Sequence, residues 1–175
     1  MASPHRTRRV RTVVVALALV TAACASETGE EPTVPDTPDT TATGPQQPDA
    51  TAILDAAYPD RQQPPTVLEV TDVVEGSGAA ATAGRQVVVH YWGLRWSDGG
   101  TFDASWTRGE PFTFALGAGR VIAGWEQGVE GMRVGGRRLL VIPPALAYGD
   151  RGAGDVIGPG ETLVFVVDLL DVAGS

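Results

Sequence analysis

Gly124-Trp125-Glu126-Gln127-Gly128-Val129-Glu130-Gly131-Met132 is the stretch on which the reading of this sequence turns. Trp125, Val129 and Met132 fall at i, i+4 and i+7, which places them on one helical face. The segment is short and rich in glycine, so it is a poor helix in isolation and packing must hold it. No other stretch of the folded region reads as a comparable helix; its neighbours on both sides read as strands. Upstream, Val67–Val74 is closed by Glu75-Gly76-Ser77-Gly78, and Gln86–Trp92 is rich in β-branched and aromatic residues. Thr101-Phe102-Asp103 follows the turn Ser97-Asp98-Gly99-Gly100, and Pro111–Leu116 alternates like an edge strand. Downstream come Arg137–Ile142, stopped by Pro143-Pro144, and Thr162–Leu170. Strands gathered around one short helix predict an α+β domain over residues 66–175, a five-stranded antiparallel sheet curled around that helix.

The preceding residues have a different texture. Arg6, Arg8, Arg9 and Arg11 lead into the apolar run Val13–Val20, and Thr21-Ala22-Ala23-Cys24 follows. A basic segment, a short apolar core and small residues predict a signal peptide over residues 1–23; the run is too short for a comfortable spanning helix. Cys24, the sole cysteine, stands where a bacterial lipoprotein carries its lipid, although Thr21 replaces the usual leucine three residues before it. Cleavage after Ala25 by ordinary signal peptidase is the competing outcome, leaving a secreted chain. Residues 24–65 carry Pro32, Pro35, Pro38, Pro45, Pro48, Pro59, Pro64 and Pro65 among Thr, Asp, Glu and Gln. Apolar spacing is lacking there apart from Ile53-Leu54 and Ala56-Ala57-Tyr58. That composition predicts a disordered tether.

Charge excludes one class of partner. The 21 acidic residues all follow Ala23, so removal of the leader leaves nine Arg against them, a net charge of −12. Such a surface repels phosphate backbones, and nucleic-acid binding is not expected. Single Cys24 allows no internal disulfide or cysteine-built metal site. His5 and His90 fit no ligand spacing, and neither metal nor cofactor is expected. No nucleophile, base and carboxylate set is evident, and Asp103, Glu126, Glu130 and Asp155 show no acid–base spacing. From spacing alone, Trp125 is open to two readings, a core residue or part of a site.

A set of motifs decides between them. Val88-Val89-His90-Tyr91-Trp92-Gly93, Thr101-Phe102-Asp103-Ala104-Ser105 and Pro111-Phe112-Thr113-Phe114 appear in that order. Val121-Ile122-Ala123-Gly124-Trp125-Glu126-Gln127-Gly128, Ile142-Pro143-Pro144-Ala145-Leu146-Ala147-Tyr148-Gly149 and Leu163–Leu170 complete the series. Together they resemble FKBP-type peptidyl-prolyl cis-trans isomerases over about residues 66–172. The resemblance implies a pocket for proline in which Tyr91, Asp103, Ile122, Trp125, Tyr148 and Phe165 are catalytic. It implies that Phe102, Phe112, Val121, Val156 and Ile157 bind substrate. Trp125 would lie under the proline ring, and Tyr148 with the Ile122 amide would hydrogen-bond substrate carbonyls. Two residues after Tyr148 depart from the best-known members, Ala153 in place of His and Gly158 in place of Pro.

The chemistry such a pocket performs needs no covalent step. The X–Pro bond resists rotation by ~18–20 kcal/mol because of amide resonance, and water favours the planar, more charge-separated form. An apolar aromatic pocket strips that water and favours the twisted form. Asp103 is expected to orient Tyr91. The expected partners are proline-containing exported polypeptides and tacrolimus- or rapamycin-like macrolides, and the membrane is met only through a lipid on Cys24. The expected place is the outer face of the bacterial cytoplasmic membrane, and the expected state is a monomer. A module that grips proline segments without turning them over, and an envelope scaffold acting through its tether, are the alternatives.

Overall fold

Two long strands, Gln86–Arg95 and Leu163–Ala173, form the spine of the sheet. In the computed structural model, which describes residues 9–12 and 46–174, β1 is Arg9–Thr12, α1 Ala50–Ala57, β2 Glu69–Val74 and β3 Gln86–Arg95. Then follow β4 Thr101–Ala104, α2 Ser105–Arg108, β5 Phe112–Ala115, α3 Ala123–Val129, β6 Arg137–Ile142 and β7 Leu163–Ala173. β3 and β7 pair antiparallel from Gln86 opposite Ala173 to Arg95 opposite Leu163. β6 lies on the other side of β7, and β2 on the other side of β6, both antiparallel.

The free edge of β3 is shared. β5 pairs with Gln86–Val89 and β4 with residues 92–94, so the two short strands occupy one edge position with α2 between them. β2, β6, β7, β3 and this divided edge make the five antiparallel positions expected. β1 adds a sixth position, parallel to β2 with Arg9 opposite Glu69. Of the expected signal peptide only residues 9–12 are described; its remainder, and Cys24, lie outside the described residues.

Each strand sends alternate side chains to opposite faces of the sheet. On one face Leu163, Phe165, Val167 and Leu169 of β7 join Val87, Val89 and Tyr91 of β3, Leu140 and Ile142 of β6, and Trp125 and Val129 of α3. On the other face Val164 and Val166 join Leu94, Trp96, Leu139 and Val141. Continuous apolar runs in β6 and β7 therefore fill two cores.

The second core is where expectation and structure part. A tether over 24–65 left that face bare, yet α1 covers it with Ala50 and the fully buried Leu54. Asp49 caps the helix, its carboxylate accepting from the Ala52 N–H at 2.9 Å. Tyr58 packs edge-on against Trp96, ring centroids 5.1 Å apart, and its hydroxyl donates to Glu69. The prolines at 48 and 59 bracket a helix here, and the described fold takes in residues 46–65, which the tether reading had left outside the domain. No helix among the described residues is long and apolar enough to cross a membrane.

α3 sits unusually near the sheet because of its glycines. A Cβ built on Gly124 would lie 2.3 Å from Ile142 Cγ2, and one on Gly128 2.8 Å from both Leu140 δ-carbons. The residues that weaken α3 in isolation are those that let it touch β6.

Candidate functional site

That close approach brings Trp125 to the centre of an aromatic cluster. Its ring lies 5.1 Å from Tyr91, 5.2 Å from Phe165 and 6.0 Å from Phe112, each nearly perpendicular to it. Edge-to-face packing of this kind suits the ring quadrupoles and fixes their orientation. Phe102 meets Phe165 edge-on at 5.5 Å. Gly93 makes that pair possible, since a Cβ there would stand 2.7 Å from Phe102 Cζ and 3.0 Å from Phe165 Cε1.

These rings surround a cavity of about 400 Å³ lined by Tyr91, Phe102, Asp103, Phe112, Gly119, Arg120, Val121, Ile122, Trp125, Tyr148 and Phe165. Trp125 is only 4% exposed and its indole N–H is buried without an acceptor, whereas Tyr148 is 42% exposed at the mouth. Nine of the eleven pocket residues expected from the sequence thus share one cavity. Val156 and Ile157 do not line it. Val156 is exposed and its carbonyl accepts from Arg95 Nη1 at 3.1 Å, while Ile157 is buried in the first core. The loop closes on itself through reciprocal Ala153–Ile157 backbone bonds, which turn Ile157 inward.

One edge of the cavity is polar. The Tyr91 hydroxyl donates to Asp103 Oδ2, Arg108 Nη1 donates to Asp103 Oδ1, and Arg108 Nη2 donates to the Tyr91 hydroxyl at 2.8 Å. The Arg108 guanidinium also stands 5.6 Å from the Tyr91 ring centroid. Burial raises the Tyr91 phenol above its ordinary 10.0, and the bond to Asp103 adds to this. Tyr91 therefore stays protonated, a donor, throughout neutral pH. Its backbone is pinned as well, because its N–H donates to Ser105 Oγ at 2.8 Å, which lies 2.9 Å from His90 Nδ1. His90 in turn stacks on Trp106 at 4.0 Å.

The opposite rim is held by α3. Glu126 accepts from the Gly117 N–H and, at 2.9 Å, from the Gly119 N–H, tying down the loop that carries Gly119, Arg120 and Val121. Gly119, Arg120 and Arg108 were not foreseen. The first two adjoin Val121-Ile122 in the chain and were legible by adjacency; Arg108 is brought to Asp103 by the turn of α2, which carried no sequence signal.

Comparison with known proteins agrees with this geometry. Residues 78–170 match the family described as FKBP-type peptidyl-prolyl cis-trans isomerase. An FK506-binding protein of Streptomyces anulatus is 60% identical over 111 residues, covering 63% of this chain and 90% of the relative. Peptidyl-prolyl cis-trans isomerase FPR2 of Saccharomyces cerevisiae is 52% identical over 102 residues, covering 58% of this chain and 76% of its own. The crystal structure of AtFKBP13 superposes with a TM-score of 0.57 at 41% identity, covering 63% of this chain and 96% of that one. The matched segment runs from the loop before β3 almost to the end of β7 and takes in every residue around the cavity. This chain therefore belongs to the FKBP-type peptidyl-prolyl cis-trans isomerases.

Proposed function

We propose that the chain isomerises X–Pro bonds of exported polypeptides in the cavity floored by Trp125. The observation that carries this is the perpendicular array of Tyr91, Phe112 and Phe165 around a deeply buried indole. A proline ring set on Trp125 loses its water, and the preceding amide loses the solvation that favours its planar form. Phe102 and Val121 extend the apolar wall. The Ile122 amide, at the start of α3, and the Tyr148 hydroxyl, at the mouth, are the donors for substrate carbonyls. Asp103 acts through Tyr91, holding its hydroxyl in place together with Arg108. Each ~1.4 kcal/mol of relative stabilisation of the twisted amide gives about tenfold in rate. The same cavity is the site for tacrolimus- and rapamycin-like macrolides.

The exported setting is supported by the Arg-rich start, the apolar run Val13–Val20 and Cys24 after three small residues. In this reading Cys24 is lipidated and a monomer is held at the outer face of the cytoplasmic membrane. Mass spectrometry of the mature chain and release into the medium by Cys24→Ser test the anchor; light scattering tests the monomer.

The direct test of function is the cis-to-trans rate of a proline tetrapeptide series with the full chain and with Trp125→Ala. Acceleration that rapamycin blocks and the variant loses is the expected result. Tight peptide binding without acceleration would replace the catalytic role with a gripping one.

A further inference from the structure

We infer that Arg120 selects substrates carrying a carboxylate beside the proline. The inference rests on the cavity floored by Trp125 being the substrate site. Two charged residues line that cavity, Asp103 and Arg120. Asp103 is spent, since one oxygen accepts from Arg108 and the other from the Tyr91 hydroxyl. Arg120 is exposed, and none of the five ion pairs of the described residues includes it. The neighbouring carboxylate, Glu126, is directed to the Gly117 and Gly119 amides. The lining therefore carries one uncompensated positive charge in a chain of net charge −8.

Two further features make that charge selective. The backbone beneath it is fixed, by the Glu126–Gly119 bond on one side and by Val121 and Ile122 packed on the core on the other. A held base lowers the freedom the side chain loses on binding. The guanidinium fork also matches a carboxylate with two parallel donors, which a neutral amide cannot reproduce. The rest of the acidic surface opposes an acidic peptide only weakly at this range, because the Debye length at physiological salt is about 8 Å. Exposed ion pairs of this type shift an equilibrium by about two- to fivefold, which is the discrimination expected here.

The experiment compares kcat/KM and Kd for tetrapeptides with Glu or its isostere Gln on either side of proline, using the full chain. The expected Glu-to-Gln preference is about two- to fivefold at one or both positions. It should fall to about one in Arg120→Gln, invert in Arg120→Glu, and shrink toward one as salt is raised to about 1 M. Equal preference in the parent and in Arg120→Gln overturns the inference. Should the chain accelerate none of the peptides, the Kd ratio decides: tighter Glu binding that Arg120→Gln removes upholds charge selection while turnover falls, and equal Kd values overturn it.

Discussion

Replacing Gly124 with alanine should destabilise this protein, against the usual rule for helices. Alanine in a helix interior is favoured over glycine by about 1 kcal/mol. Here the new Cβ would meet Ile142 Cγ2 at 2.3 Å, Cδ1 at 2.8 Å and Cγ1 at 2.9 Å. Carbon atoms rest at about 3.5–4.0 Å, so roughly an ångström of overlap must be relieved. Ile142 is fully buried and β-branched, with little freedom to turn away. Overpacking of this kind costs about 1–3 kcal/mol, and after the helix gain of about 1 kcal/mol the net expectation is a loss of up to about 2 kcal/mol. The relief route is retreat of α3 from β6, and Trp125 rides on α3. Peptide kcat/KM should therefore fall in the same variant, even though Gly124 faces away from the cavity into the core. Gly128→Ala is the internal control, since its contacts are the flexible ends of Leu140 at 2.8 Å; its loss should be smaller. Urea unfolding followed by fluorescence, with the peptide assay alongside, measures both. A Gly124→Ala protein more stable than the parent, with unchanged kcat/KM, would refute the claim that the glycines set the height of the pocket floor.

Three further outcomes are expected. Leu54→Ala should cost about 2–5 kcal/mol in urea unfolding, as for other fully buried leucines; no change would return residues 46–58 to the status of a spacer. Glu126→Gln should weaken its bonds to the Gly117 and Gly119 amides and speed hydrogen exchange at Gly119; exchange equal to the parent would refute its role as the clamp of the rim. Burial holds the His90 imidazole below its ordinary 6.5, with Asp168 pulling the other way. The folded state then disfavours the proton that the unfolded chain accepts, so stability is full above pH 6.5 and declines as pH falls below it. Urea midpoints at pH 7.5 and 5.5 should differ by less in His90→Gln than in the parent, and an identical difference would sink the assignment.

The sheet and α3 were legible because their signals are local: β-branched runs, turn residues, and Trp125, Val129 and Met132 on one face. The pocket aromatics were legible only as motifs in a fixed order, since nothing in the spacing of Tyr91, Phe102 and Phe165 says that they meet. α1 was hidden by composition. The prolines and acids around it match a solvated linker, and the evidence for it lay elsewhere, in the uninterrupted apolar runs of β6 and β7. A sheet with Leu139, Val141, Val164 and Val166 on its far side needs a cover, and the chain held one candidate segment with Ile53-Leu54 in it. Val156 and Ile157 lie outside the cavity lining because their position depends on how the loop closes between Ala153 and Ile157, which adjacency to the pocket motifs does not determine.

β7 acts as a party wall between two compartments. Phe165 looks into the cavity floored by Trp125 while Val164 and Val166 on either side of it look toward α1. Side-chain changes on the α1 side reach the cavity only by moving the backbone of β7, which β3 and β6 brace from both flanks. α1 is thus insulated from the cavity. The Gln46 carbonyl accepts from Arg137 on the same side, so residues 46–57 lie against the face of the sheet opposite the cavity, and substitutions among them should alter stability before they alter the cavity.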